Sequence, residues 1–156
     1  MDLVSLATQI ATLIALITVV ATLYQLRKEV RTQNLQSFFY LHKYLSQEDF
    51  SIARKRVRTE LFHKKYEDWT EDDKTCANRV CASYDQTGIL ISIGVLDKDT
   101  RKQFLSSSWG NSIIDQYEIL KPFLDDYQTP HQTGREFFRH FTMLYIETLQ
   151  YHKGEQ

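Results

Sequence analysis

The side chains able to do chemistry are present in this chain, but their spacing does not assemble a catalytic pattern. The histidines are His42, His63, His131, His140 and His152. No two stand four apart around a glutamate, as a zinc hydrolase helix requires, and no Cys/His set has zinc-ribbon spacing. The two cysteines, Cys76 and Cys81, are five residues apart. On a helix that spacing turns them well apart, which disfavours a bond and suits two small core residues in a reducing cytoplasm. Ser106, Ser107 and Ser108 precede Trp109 and Gly110, yet nothing marks any of these hydroxyls as activated. No phosphate-cradling glycine loop occurs. The expectation is a protein that is not an enzyme and holds neither metal nor cofactor.

Two charged features remain. Arg54, Lys55, Arg56 and Arg58 form the densest basic cluster, followed by His63, Lys64 and Lys65. Such a cluster suits anionic lipid headgroups, a nucleotide messenger or an acidic partner. It equally suits the solvated face of an amphipathic helix, with Glu60 and Glu67 close by. Asp85 stands in an otherwise apolar stretch beside Tyr84. If buried, its carboxylate needs a hydrogen bond or a cation. Arg79, Arg135 and Arg139 are the candidate cations, and a structural role is favoured over a catalytic acid.

The elements that must carry these residues begin with an uncharged run from Leu3 to Leu26. At 1.5 Å per residue such a helix crosses the roughly 30 Å hydrocarbon core. The run also contains Ser5, Thr8, Gln9, Thr12, Thr18, Thr22 and Gln25. Projection at 100° per residue gathers Ala7, Thr8, Ala11, Thr12, Ala15, Thr18 and Thr22 on one face. Large aliphatic residues occupy the other face, and only Val4 and Val19 intrude. Small and hydroxyl-bearing residues let helices approach closely in lipid, so this face predicts helix–helix association, hence a homo-oligomer or a second protein. A secretory signal is disfavoured, because the chain starts Met1-Asp2 without a basic region. The polar residues keep open a soluble oligomer with this helix buried inside it.

Orientation follows from the flanks. No Lys or Arg precedes the run, whereas Arg27, Lys28 and Arg31 follow it. Positive charge stays cytoplasmic, which predicts a single-pass protein of the inner membrane with its N-terminus outside. Residues 1–26 are then the anchor and residues 27–156 a cytoplasmic domain. Net charge is -1, so no global field argues for nucleic acid.

That domain is predicted to be all-α, a bundle of about five helices into which the anchor continues. Only 5 glycines and 2 prolines occur, too few for a turn-rich β fold. The first helix continues to about residue 46. Ser46 with Asp49 suggests a capping box for a second helix carrying Phe50, Ala53, Val57, Leu61 and Phe62. Thr70 caps a third, with Glu71, Asp72 and Asp73 in its first turn and Gly94 at its end. The segment from Gly88 to Ile93 is apolar nearly all round, which makes it the expected centre of burial. Asp97 caps a fourth helix reaching Tyr117, which Pro122 interrupts or ends near Leu120. A polar loop over residues 128–134 precedes a last helix holding Phe137, Phe138, Phe141, Leu144, Tyr145 and Leu149.

Three stretches then stand out together: Tyr24-Gln25-Leu26-Arg27 with Arg31 and Asn34, Tyr84-Asp85-Gln86-Thr87-Gly88 through Gly94-Val95-Leu96-Asp97, and Trp109-Gly110 through Leu120-Lys121-Pro122-Phe123. In this order, after an apolar helix, they resemble a bacterial family of short, membrane-anchored helical proteins, domain of unknown function 4760. Some of its members carry phage-abortive-infection labels. The resemblance covers most of the chain. It implies that Asp85, Gly88, Gly94, Asp97, Trp109 and Pro122 belong to the family pattern, and it transfers no catalytic residue. The chain departs from the pattern at Tyr117, where the family often has Trp. It departs again after the proline, where Asp125 and Asp126 stand in place of an Arg.

Three roles are consistent with these observations. One is a non-enzymatic membrane protein that self-associates and binds or senses a cytoplasmic protein or nucleotide messenger. The second is a defence or stress effector that perturbs the membrane, with the threonine stripe lining a pore. The third is a soluble, ligand-binding helical oligomer.

Overall fold

In the computed structural model the chain is all-α. The structure describes residues 3–128 and 137–154, with the side chains of 3–8, 10, 127 and 128 outside the description. The helices are α1 (Leu3–Leu45), α2 (Glu48–Thr59), α3 (Glu71–Ser92), α4 (Lys98–Ser106), α5 (Ser108–Gln128) and α6 (Arg139–Gly154). Short 3-10 turns at Leu61–His63 and Tyr66–Asp68 link α2 to α3. The chain divides into two units, Met1–Gln36 and Ser37–Gln156.

Among the described residues, the first unit is helical and holds no buried side chain. Every side chain from Ala11 to Gln33 is exposed, including Leu13, Leu16, Ile17, Val20 and Leu23. Among the described residues α1 is the one helix long and apolar enough to cross a membrane. It comprises 43 residues.

In the second unit, Leu41 and Leu45 from the last turns of α1 enter a core shared by α2–α6. Helix α3 is the central element and packs chiefly on α6 and α2, while α5 packs on α6, α4 and α2. Tyr84, Phe104, Ile113, Leu120 and Phe141 are among its fully buried side chains. Tyr84 stacks on Phe141 at 5.1 Å, and Tyr117 meets the Phe141 edge at 5.2 Å. Offset and edge contacts of this kind add to area burial.

Several local signals act as expected. Thr70 and Asp73 form a reciprocal capping box, Asp97 accepts from the Thr100 N–H at 2.7 Å, and Gly94 takes φ +83° just beyond α3. A left-handed residue there suits glycine.

Others differ. The Ser46 box does not form: the Ser46 N–H still bonds the His42 carbonyl, so Ser46 closes α1, and Gln47 starts α2 without a side-chain cap. The expected fourth helix is two helices. Ser107 adopts an extended conformation, and its hydroxyl accepts from the Trp109 N–H at 3.1 Å, which starts α5 afresh. Pro122 does not end α5, which continues to Gln128. The end of α3 is not the most buried part either. Ile93 is 70% exposed, and burial concentrates between Asp73 and Gly88, where α2, α5 and α6 surround the helix. Phe137 and Phe138 precede α6 instead of lying within it.

Candidate functional site

On α1, Ala11, Thr12, Ala15, Thr18 and Thr22 are exposed, while the side chains of Ala7 and Thr8 lie outside the described residues. The Thr18 hydroxyl donates to the Ile14 carbonyl at 2.9 Å and that of Thr22 to the Thr18 carbonyl at 2.8 Å. These hydroxyls are satisfied within their own helix and need no water. Arg27, Lys28 and Arg31 follow, all exposed.

The basic cluster on α2 does not form one surface. Arg54 is 4% exposed and points into the core, against the expected patch. It lies on the stripe of Ala53 and Val57, so helical spacing overrides its charge. Its guanidinium donates to the Leu45 carbonyl, in the last turn of α1, and sits 5.1 Å over the Trp109 ring and 5.9 Å from the Tyr84 ring. Cations at a helix C-terminus and over aromatic faces are both favourable. Burial lowers the Arg54 pKa, the nearby Tyr84 raises it, and Arg58 lowers it further. The group remains a cation, as arginine does in proteins. Gln116, fully buried, donates to the Arg54 carbonyl at 3.1 Å. Arg54 Nη1 and Gln116 Oε1 are both buried without a hydrogen-bond partner among the described residues.

Arg56 is paired as well, with Asp73 at 2.8 Å and Glu60 at 3.2 Å. Asp73, whose side chain is 0% exposed, also receives Lys64 at 2.9 Å. Burial alone would raise the Asp73 carboxyl. The Lys64 ammonium and the Thr70 N–H and hydroxyl outweigh it and bring the pKa to about 2. Lys55 and Arg58 remain as the exposed members of the cluster.

Asp85 is held chiefly by backbone, with the His140 ring Nδ1 lying 3.9 Å from its Oδ1. Its Oδ1 accepts from the N–H groups of His140 and Phe141 at 2.8 and 3.1 Å, in the first turn of α6. A carboxylate there satisfies two orphan donors and complements the helix dipole. Of the three arginines considered as partners, Arg135 lies outside the described residues. Gly88, one turn along α3, allows the same approach: a Cβ there would lie 2.4 Å from the His140 carbonyl oxygen. Asp85 and Gly88 thus jointly seat α6 on α3, and Trp109 covers Arg54 with its other neighbour the His42 ring at 5.6 Å.

Cys76 and Cys81 are buried free thiols, and burial raises both pKa values. They are therefore protonated, poor nucleophiles at neutral pH. No grouping of three potential metal ligands occurs among the described residues.

A cleft of about 270 Å³ opens between the 3-10 turns and α5, and the sequence pattern did not announce it. Phe62, Tyr66 and Trp69 supply aromatic lining, joined by Leu61 and, from α5, by Ile119 and Pro122. Lys64 and Glu118 are its charged lining. Tyr66 and Trp69 meet edge to face at 5.1 Å, and Trp69 stacks on Phe123 at 6.5 Å. The only advance signals were a proline inside an amphipathic run and a cluster of aromatics where helical periodicity breaks.

An exposed apolar helix leading into a five-helix bundle defines the class of this protein. The chain belongs to the family described as Domain of unknown function (DUF4760), which it matches over residues 12–148. No curated protein and no solved structure matches it.

Proposed function

We propose that this is a single-pass protein of the inner membrane, with its N-terminus outside. It self-associates through α1 and presents its helical bundle to a cytoplasmic partner, without catalysing a reaction. The carrying observation is the complete exposure of α1 from Ala11 to Gln33, with Leu16 and Ile17 each 61% exposed. An exposed apolar helix of this length needs lipid or another chain around it. Arg27, Lys28 and Arg31 support the orientation. The internally bonded hydroxyls of Thr18 and Thr22 favour close helix packing over a water-filled pore.

Crosslinking of the full chain in native membranes tests this reading. A dimer or higher band, lost on Thr12→Leu with Ala15→Leu, is the expected result. Monomer alone, indifferent to those substitutions, would overturn self-association. Release of the protein by alkaline extraction would overturn the membrane span.

A further inference from the structure

We propose that the cleft between the 3-10 turns and α5 binds an extended peptide segment of a partner protein, in which a proline or leucine lies beside a Lys or Arg. This deepens, and rests on, the reading that the bundle binds a cytoplasmic protein.

Three features select that ligand. The first is shape and surface. Aromatic rings from Phe62, Tyr66 and Trp69, facing Pro122, make a slot of about 270 Å³, room for one or two apolar side chains rather than a whole folded element. Phe62 is 64% exposed, a large ring left in solvent at the edge of the slot. Aromatic-lined grooves of this kind recognise extended, proline-bearing segments.

The second is hydrogen bonding. The Trp69 indole N–H is buried and has no acceptor, although Trp69 itself is 7% exposed. Pro122 lies inside α5 and has no N–H, so the Glu118 carbonyl, four residues earlier, loses its helical donor. Trp69 and Glu118, the residues that carry these two groups, both line the slot. A peptide backbone offers the complementary carbonyl and N–H, whereas a simple alkylammonium ion offers no acceptor for the indole.

The third is charge. The Lys64 ammonium is already matched by Asp73. The Glu118 and Asp126 carboxylates receive only tyrosine hydroxyls, from Tyr145 and Tyr66 respectively. Neither donor is a cation; Lys121 feels the charge of Glu118, whereas Asp126 and Glu71 both act on the Tyr66 hydroxyl and make that end of the rim acidic. The rim thus repels nucleotides and phosphates and attracts Lys or Arg.

The probe is a capped eight-residue peptide of alternating proline and leucine with arginine at both ends. Its counterpart carries glutamate at the ends, and 5′-AMP serves as the anionic alternative. The full chain is used in detergent micelles, with Trp109→Phe so that Trp69 is the single indole. Binding is read from Trp69 emission and from its ¹⁵N-labelled indole N–H resonance. The arginine peptide should move both signals, and added salt should weaken it. Glu118→Gln with Asp126→Asn should cost on the order of tenfold in affinity. Both substitutions are at exposed, nearly isosteric positions, and an unchanged circular dichroism spectrum confirms the fold. An equal response to the glutamate peptide, a stronger response to 5′-AMP, indifference to the double substitution, or no response at all would each overturn the proposal. Membrane extraction is independent of this titration, so failure of the anchor and failure of the cleft are distinguishable.

Discussion

The two units use the same apolar residue types and place them oppositely. In the first, Leu16 and Ile17 are each 61% exposed; in the second, Leu120 and Ile113 are fully buried. Their hydrogen bonds differ likewise. Thr18 and Thr22 bond the preceding turn, whereas Gln116 reaches Arg54 across 62 residues and Asp85 reaches α6 across 55. The first unit bonds the hydroxyls of Thr18, Thr22 and Thr32 locally and leaves the apolar surface of its described residues to the surroundings. The other satisfies both through tertiary contact. Long helices in water owe most of their stability to packing, so the first unit depends on what surrounds it and the second depends on its core.

The largest effect should come from the core. Phe141→Ala removes a fully buried ring that contacts Tyr84 and Tyr117. It should cost about 3–5 kcal/mol, read as a lower midpoint in thermal or urea unfolding. Ile17→Ala removes three aliphatic carbons from an exposed position on α1 and should leave that midpoint unchanged. Equal losses would break the contrast between the units. Ile17→Lys tests the other side. A lysine at the centre of a spanning helix costs about 2.5–3.5 kcal/mol of insertion. The variant should shift toward the alkaline-extractable fraction while the bundle unfolds at the same midpoint.

These contrasts also explain what the sequence discloses. The Thr70 and Asp97 caps and the Gly94 stop were legible because each acts within one turn of chain. The apolar run of α1 was legible because it is continuous. Arg54 was not legible, because its charge speaks for solvent while its spacing with Ala53 and Val57 speaks for the core. The Ser46 box failed, and α5 ran through Pro122, because tertiary packing decides where a helix stops when two local signals conflict. The Trp69 cleft draws its walls from segments some fifty residues apart, and no local pattern marks such a meeting.

A third, somewhat smaller effect is titration of Asp73. Its folded pKa is about 2, below the usual 3.8. A depressed carboxyl stabilises the fold above its unfolded pKa, and that contribution is lost as pH falls through the folded one. The window is therefore about pH 4 down to 2, and the loss is on the order of 2 kcal/mol. Unfolding midpoints of the wild type should fall across that window more steeply than those of Asp73→Asn, which is already weaker at pH 7. Parallel curves would show that Arg56 and Lys64 do not hold the carboxylate in solution.

The smallest loss, and the finest test of how the bundle is held, is that of Asp85→Asn. If the carboxylate acts through the first turn of α6, its oxygen and its charge contribute separately. Asparagine keeps an oxygen able to accept from His140 and Phe141 but gives up the interaction with the helix dipole, about 0.5–1 kcal/mol. Alanine leaves both N–H groups without an acceptor and should cost about 2 kcal/mol. The order wild type, Asn, Ala in unfolding midpoint follows from backbone capping. A salt bridge to an arginine predicts a different order, with Asn nearly as damaging as Ala, because either change removes the charge. On α1 the analogous change, Thr18→Ala, deletes a hydroxyl bonded only to its own preceding turn and should leave the bundle's midpoint where it is. A long-range cap and a local one are thereby separated by the same measurement.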